Sequence, residues 1–251
     1  MFMMKIFVCS LSFYFIAFTQ SHVFVYKTKS NAVISSVEDH IIHNVIALYN
    51  KNHEDSLVLT FRRFNSFKEM LNTFNADSRV YTHSILCVNR MTITDKRKHF
   101  YDFSSKYIPG KLVYFKRNQD KKTLNQNEVV GFISGTVQEE IVKKLKKEHT
   151  FLYKPFPISQ ALFRAVGNQS VTVGIAENIS VWERNTFHII KDVEFQAGDG
   201  YGIMYPKGSK LNTRLNKYLL YYMKSQRFRK LLEVKYNKEI SHYFLKALFS
   251  S

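Results

Sequence analysis

The chain has 251 residues, of which 45% are hydrophobic and 23% are charged, and its formal net charge is +17 at pH 7. This composition is typical of a globular protein, and the length permits one domain or two. The positive charge is dispersed, and no zinc-ligand spacing or Gly-rich phosphate loop accompanies its densest patches. We therefore expect no nucleic-acid partner. The simpler interpretation is that the positive charge creates an electrostatic field that attracts anionic ligands or anionic lipid headgroups.

The N-terminus has the pattern of a secretory signal peptide. Lys5 precedes an apolar stretch over Ile6–Phe18, which is shorter than the roughly 20 residues that a spanning helix needs. We predict a signal peptide over 1–21 and export to the periplasm, with an uncleaved anchor as the alternative. After cleavage Cys87 would be the remaining cysteine, so the mature chain could form no intrachain disulfide, and we expect this thiol to be buried.

Strands and helices alternate in the predictions for the first third of the chain. Apolar runs and helical spacing predict, in order, a strand over 23–26, a helix over 36–49, a strand over 57–61, a helix over 67–74 and a strand over 81–88. This order is typical of a parallel α/β sheet, in which ligands bind beyond the C-terminal ends of the strands. Four polar residues fall at such an end: Asn89, Arg90, Thr92 and Arg97.

A second α/β unit is predicted inside the first. Its elements are a strand that begins at Leu112, a strand over 129–133, a helix over 139–147, a loop over 154–157, a helix over 159–166 and a strand over 171–176. A returning strand over 201–205 and helices over 211–223 and 226–236 close the chain. The order implies two lobes joined by two crossing strands, near 111–116 and 201–206.

The segment from Asn89 to Tyr107 gives the clearest indication of a ligand site. A hydroxyl-rich strand end passes into a charged turn that contains Arg97, and Thr94 or Asp95 can cap the short helix that follows. Free backbone N–H groups beside a guanidinium suit a carboxylate. From these residues alone, a surface arginine at a helix N-terminus is an equal alternative.

Three segments resemble one family. Thr92–Arg97 followed by Tyr101–Tyr107 is similar to the T-I-T-x-x-R and D-F-S-x-P-Y patterns of the extracytoplasmic solute-binding proteins of family 3, the amino-acid receptors of ABC importers. Further on, 129–140 resembles the V-G-V-x-x-G-T-T-x-E of that family, and 200–219 resembles its C-terminal G-x-G and K-G stretch. The resemblance implies an α/β type II periplasmic-binding-protein fold.

This fold has two α/β lobes joined by two crossing hinge strands. The lobe bounds that we predict are 22–113 with 204–251 for a discontinuous first lobe, and 114–203 for the second lobe.

The resemblance also implies a binding site for a carboxylate. Family members hold the α-carboxylate of the ligand with the arginine of the motif, with hydroxyls before it and with N–H groups of the G-T-T turn. By position these are Arg97, Thr92 and the turn at Thr136 and Val137, and Asn89 lies beside them. Val137 keeps the N–H group of the turn and lacks the second hydroxyl.

Three further candidates leave the nature of the ligand open. Arg90 stands where a small hydroxyl residue is common, and it could bind a second acidic group or pair with a surface acid. Glu177 is the acid nearest to the position at which the family binds the α-ammonium, so an amino acid and a carboxylate without an amine both remain open. Tyr26 is the candidate for an aromatic wall over the ligand, with a core position as its alternative.

The predicted function is that of a periplasmic solute-binding protein. We expect it to capture a small polar carboxylate-bearing ligand, an amino acid or a related solute, and to deliver it as a monomer to an ABC transporter permease. We expect no catalytic residue, no cofactor and no metal. The alternatives are a sensory or orphan binding protein with an altered ligand site, and a dehydratase-like enzyme on the same scaffold.

Overall fold

A computed structural model describes residues 20–30, 32–195, 198 and 200–249, and two β-sheets organise them. Sheet A is formed by β1 (Gln20–Thr28), β2 (Ser56–Phe64), β3 (Ile85–Thr92), β4 (Tyr101–Phe103), β5 (Ile108–Pro109) and β11 (Gly200–Pro206). Its strand order is β2-β1-β3-β11-β4, and β5 pairs with β11. The three strands β1, β2 and β3 run parallel, and β11 is antiparallel to β3.

Sheet B is built from the middle of the chain. It is formed by β6 (Leu112–Arg117), β7 (Val129–Ile133), β8 (Leu152–Phe156), β9 (Val173–Glu177) and β10 (Phe187–Asp192). Its strand order is β10-β6-β9-β7-β8, with β7, β8 and β9 parallel. The insertion of one α/β unit into another, as the pattern of apolar segments predicts, therefore gives each unit its own sheet.

Helices cover both sheets. The helices that belong with sheet A are α1 (Val33–Lys51), α2 (Phe67–Ser78), α3 (Asp95–Phe100), α7 (Lys210–Lys224), α8 (Gln226–Lys235) and α9 (Lys238–Phe249). Those that follow strands of sheet B are α4 (Val137–Leu145), α5 (Ser159–Gly167) and α6 (Asn178–Trp182). We call sheet A with its helices the first lobe and sheet B with its helices the second lobe. Within the described residues, every helix is too short or too polar to span a bilayer.

The chain passes between the lobes twice. It leaves sheet A after β5 and returns to it at β11, and β6 and β11 each pair within a single sheet. Gly110 lies at the first passage, where a side chain would collide with the ring of Tyr201. Glycine is therefore required there by the close approach of the two passages. The predicted lobe bounds 22–113, 204–251 and 114–203 stay a prediction.

The described part of the chain begins within the predicted signal peptide. Residues 1–19 of that segment lie outside the described residues, and β1 begins at Gln20. Its first two residues, Gln20 and Ser21, pair with Ser56 and Leu57 of β2.

The predicted bounds of the third strand, 81–88, are wrong by four residues, since β3 occupies Ile85–Thr92. Tyr81 lies in a turn after α2, where its N–H donates to the carbonyl of Asp77 at 2.8 Å, and Ser84 donates back to Tyr81 at 3.0 Å. Pairing with β1 begins only at Ile85, which lies opposite Phe24. As a result, Asn89 to Thr92 belong to the end of β3 itself and do not lie in a loop beyond it.

The loop predicted over 154–157 is also wrong, because β8 occupies Leu152–Phe156. Pro155 does not interrupt this strand, since β8 lies at the edge of sheet B and pairs only with β7. An edge strand tolerates a residue that lacks an N–H group. Besides β8, five elements of the described residues are absent from the predictions: β4, β5, α6, β10 and α9.

Both faces of each sheet are buried, as the near-continuous apolar strands require. One face of sheet A packs on α1, α7 and α8, and the other packs on α2. Sheet B lies between α4 and α5.

Cys87 of β3 is fully buried between sheet A and α2, with its sulfur 3.8 Å from that of Met70. Burial raises the pKa of the Cys87 thiol, which confirms the expectation of a buried, unreactive cysteine.

A buried carboxylate joins three elements of the first lobe. Glu38 of α1 is 1% exposed and accepts hydrogen bonds from the backbone N–H of Arg90 and from the hydroxyl of Tyr107, both at 2.6 Å. Lys27, at the end of β1, lies 3.5 Å from Glu38 and is also 1% exposed. Its ammonium donates to Asp39 at 2.7 Å. A buried charge is tolerated only with such partners.

We predict that Glu38→Gln destabilises the protein by about 3 kcal/mol or more, because it removes a buried charge that two donors and one cation share. Urea unfolding followed by circular dichroism measures the change. Glu233→Gln is the matched control, since Glu233 is exposed on α8 and its loss should cost little. Equal stabilities of the two variants would contradict the role given to Glu38.

Candidate ligand-binding site

The C-terminal ends of β3 and β9 meet between the two lobes. The guanidinium of Arg90, in β3, donates to the Ser180 hydroxyl of α6 at 2.8 Å and lies 3.8 Å from the carboxylate of Glu177, the last residue of β9. The side chains of Arg90 and Glu177 are 20% and 19% exposed. Because parallel strands of both sheets end here, this region between the lobes is the candidate ligand site, and we call it the cleft.

Arg90 is held in an uncommon backbone conformation. Its φ of 48° lies in the left-handed region, which non-glycine residues rarely adopt, and its N–H is fixed by Glu38. Burial opposes the charge on Arg90, yet the carboxylates of Glu177 and Glu38 raise its pKa above the ordinary value. The structure thus makes Arg90 a permanently charged link between the lobes.

Arg97, by contrast, carries a cation without an acidic partner. Within the described part of the chain, its guanidinium makes one hydrogen bond, from Nη1 to the carbonyl of Thr92 at 3.0 Å, and takes part in no ion pair. Burial lowers its pKa. A half-buried guanidinium with free N–H groups favours binding of an anion. The two oxygens of a carboxylate can accept two parallel hydrogen bonds from it.

The short helix α3 positions this cation. The hydroxyl of Thr94 accepts the N–H of Arg97 at 3.1 Å, so Thr94 is the N-cap, one of the two capping residues that the sequence allows. Lys96, on the same helix, reaches across to Glu140 of α4 with an Nζ–Oε1 distance of 2.6 Å. This pair is well exposed, at 71% and 55%, and it brings α3 against the start of the second lobe.

The turn at the start of α4 lies within four residues of Glu140, which Lys96 of α3 contacts. Thr136 is the N-cap: its hydroxyl accepts the N–H of Gln138 at 3.2 Å and donates to the carbonyl of Ile133 at 2.8 Å. Among the described residues, the backbone N–H groups of Thr136 and Val137 have no partner. Such groups at a helix N-terminus are suitable donors to a carboxylate.

Asn89 and Thr92 have structural partners of their own. The side-chain oxygen of Asn89 accepts the N–H and the hydroxyl of Thr28 at 3.0 and 2.7 Å, which ties the ends of β1 and β3. Thr92 supplies its carbonyl to Arg97 and lies opposite Tyr201 in the ladder of β3 and β11. Both residues border the cleft, and the part that each has in ligand binding stays a prediction.

Tyr26 does not form an aromatic wall. Its ring is fully buried, stacked on Phe64 and edge-on to Phe74, and its hydroxyl donates to Asp77 and accepts from Arg62 at 2.9 Å. A ring without accessible surface offers no face to a ligand, so this prediction is corrected to its alternative, a core position.

Trp182 likewise packs away from the cleft. Its ring meets that of Tyr243 of α9 at 4.9 Å, with an angle of 77° between the planes. Asn178 also contacts Tyr243, at 3.3 Å from the hydroxyl. The helix α6 therefore follows a strand of the second lobe but packs on the first, where Ile179 joins the main core.

The sequence analysis missed Glu38, Ser180 and the pair of Lys96 with Glu140. Glu38 had a signal, because it follows Ile34 by four residues and precedes Ile41 by three, which places it on the apolar face of α1. Ser180 had none, since the short helix that carries it lacks a periodic pattern. Among the described residues, no group of three or more His, Cys, Asp or Glu side chains is arranged to hold a metal.

We predict that Thr136→Ala lowers the free energy of unfolding by about 1 kcal/mol, because the N-cap acceptor is lost. Thr136→Ser keeps the hydroxyl and should preserve most of the stability. Urea unfolding compares the two variants. Identical losses in both would show that the methyl group of Thr136, and not its hydroxyl, stabilises the turn.

Comparisons with known proteins establish the fold. A scan against protein-family models gives no match, and a search of curated proteins gives none either. Among solved structures, the GluR0 ligand-binding core from Nostoc punctiforme in complex with glutamate matches with a TM-score of 0.70 and 14% identity, over 86% of this chain and 99% of that one.

Two binding proteins from solved structures match in the same way. An ancestral arginine-binding protein bound to glutamine has a TM-score of 0.67 and 19% identity, over 87% of this chain and 99% of its own. The amino acid ABC transporter substrate-binding protein AbpA from Streptococcus pneumoniae, bound to L-arginine, has a TM-score of 0.68 and 20% identity, over 88% and 96%. The fold that the sequence motifs imply is thus confirmed: the chain has the type II periplasmic-binding-protein fold.

Proposed function

We propose that this protein is a periplasmic solute-binding protein that captures a small carboxylate-bearing solute between its lobes for ABC-type import. The observation that carries the proposal is the environment of Arg97. Its half-buried cation has no ion-pair partner among the described residues, and the contact of Lys96 with Glu140 joins its helix α3 to α4, whose first turn has N–H groups without a partner in the described part of the chain. A carboxylate bound by both would satisfy the guanidinium and the helix N-terminus together.

Binding of this kind favours the closed arrangement of the lobes. Arg97 belongs to the first lobe, and Thr136 and Val137 belong to the second, so only closure offers both sets of donors to one ligand. The two charge contacts between the lobes, from Lys96 to Glu140 and from Arg90 to Glu177, are compatible with that state. The ligand would add its own attraction to these two contacts.

The similar structures support capture for transport. Two are amino acid ABC transporter substrate-binding proteins bound to L-arginine, and another is an ancestral arginine-binding protein bound to glutamine. By analogy we propose a permease as partner, a monomer as the working form and binding without catalysis. A sensory or orphan binding protein is the second candidate, since the GluR0 ligand-binding core, which is not described as part of a transporter, binds glutamate on the same fold.

We predict that Arg97→Ala abolishes the ligand-induced rise in melting temperature and leaves the fold intact. The loss of a charge-assisted bidentate contact in the cleft should weaken binding by about 3–5 kcal/mol. Without ligand the variant should be as stable as the parent or more so, because a half-buried unpaired cation is removed. Isothermal titration calorimetry and thermal unfolding measure both quantities.

The matched control is Lys98→Ala. Lys98 lies next to Arg97 but is 56% exposed, and its one ion pair among the described residues is with Asp95, three residues before it. Its removal should leave ligand affinity within about threefold. If Arg97→Ala binds the ligand as tightly as the control does, Arg97 is not in the site.

The ligand itself is to be found by a thermal-shift screen of the mature chain. A solute that binds the folded state raises the melting temperature by mass action. The panel contains amino acids, α-keto acids, hydroxy acids and sugars. Stabilisation by sugars alone, with no response to any carboxylate, would overturn the proposed ligand class.

A further inference from the structure

The acids of the cleft are already occupied by cations of the chain. Glu177 has Arg90 at 3.8 Å and accepts the Ser180 hydroxyl at 3.4 Å, and Glu140 has Lys96 at 2.6 Å. Glu38 lies behind the cleft with a buried lysine and two hydrogen-bond donors. Among the described residues, the site therefore has no free carboxylate to receive an ammonium group.

Arg90 is held rigidly in this position. Its N–H is bound by Glu38, its backbone is fixed in the left-handed region, and its guanidinium is anchored on Ser180. A side chain that is fixed by its neighbours loses little entropy when it forms an ion pair. An ammonium from solution would have to displace Arg90 from Glu177, and the displaced guanidinium would then lie in the cleft unpaired.

Arg90, near the end of β3, and Arg97, in α3, are seven residues apart along the chain. Thr92 lies between them along the chain: its carbonyl binds Arg97, and it is paired with Tyr201 across β3 and β11. Burial and then the charge of Glu177 raise the pKa of Tyr201, while Arg90 opposes this shift. Tyr201 is thus within electrostatic reach of Arg90 and Glu177, and it lies opposite Thr92, whose carbonyl accepts the hydrogen bond of Arg97.

Arg90, Arg97 and Glu177 together carry two positive charges and one negative charge. Arg90 and Glu177 neutralise each other, and Arg97 is left with an unmet demand for one negative charge. A ligand with a carboxylate and an ammonium would satisfy Arg97, and its ammonium would find no free carboxylate among the described residues. A ligand with the carboxylate alone would leave no charge unpaired.

We infer that Arg90 occupies from within the chain the place that an ammonium would take beside Glu177, so that the cleft selects small carboxylates without an amine over amino acids. Arg90 is then the residue that determines ligand class. This inference rests on the proposed function, since it assumes that the cleft binds a carboxylate at Arg97.

The test compares matched pairs of probes that differ only in the amine. Pyruvate is paired with alanine, ketoleucine with leucine and oxaloacetate with aspartate, each titrated by calorimetry into the full mature chain. The expected result is that, in at least one pair, the α-keto acid binds at least about tenfold more tightly than its amino acid, since an unpaired buried ammonium costs at least that much.

Two variants test the assignment to Arg90. Arg90→Ser frees Glu177 and should raise the affinity for the amino acid of that pair by about tenfold or more. The double variant with Glu177→Gln should lose this gain, because the acceptor for the ammonium is gone. Each ligand-induced shift in melting temperature is measured from the variant's own unliganded value, which separates binding from any change in stability.

The outcomes distinguish this inference from the proposed function. If amino acids bind the parent protein as tightly as their keto partners, the inference fails and the proposed function stands. An unchanged preference in Arg90→Ser, or a gain that persists in the double variant, also overturns it. If no carboxylate of either class binds the parent, the proposed function fails and the inference fails with it.

Discussion

The carboxylate of Glu38 is buried on the inner face of α1, and it accepts hydrogen bonds from β3 and from Tyr107 while Lys27 of β1 lies beside it. A charge in this position is stable only if all its partners are in place, so it fixes the ends of β1 and β3 relative to α1. It also holds the backbone of Arg90 in the left-handed conformation. The direction of the Arg90 side chain, and with it the chemistry of the cleft, depends on this one buried acid.

The two charge contacts between the lobes differ in strength for a physical reason. The pair of Lys96 and Glu140 is exposed at the rim, so water and salt screen it and its two long side chains lose entropy when they meet. Arg90 and Glu177 are about one-fifth exposed, in a region of lower dielectric where the same charges interact more strongly. The rim contact can therefore open readily, and the inner contact holds the lobes in register.

Most of the architecture could be predicted from the sequence, and much of the site could not. The parallel order of the first strands and the insertion of the second unit followed from the spacing of apolar residues, and the motif singled out Arg97 as the candidate cation, which stays a prediction. The predicted bounds of β3 were wrong because the turn contains Tyr81 and Thr82, two residue types that are common in strands. The partner of Arg90 was out of reach, since Glu177 is far along the chain and only the packing of α6 brings them together. Tyr26 was ambiguous because core and cleft aromatics look alike in sequence.

The packing of α6 on α9 has a mechanical consequence. Trp182 and Asn178 of α6 both contact Tyr243 near the end of the chain, and Glu183 accepts hydrogen bonds from Ile34 and Tyr236 of the first lobe. If sheet B moves relative to sheet A, either α9 must move with it or these contacts must break. The contacts of α6 with α9 thus limit how far the two lobes can open. The stiffness of the connection between the lobes depends on residues far from the solute.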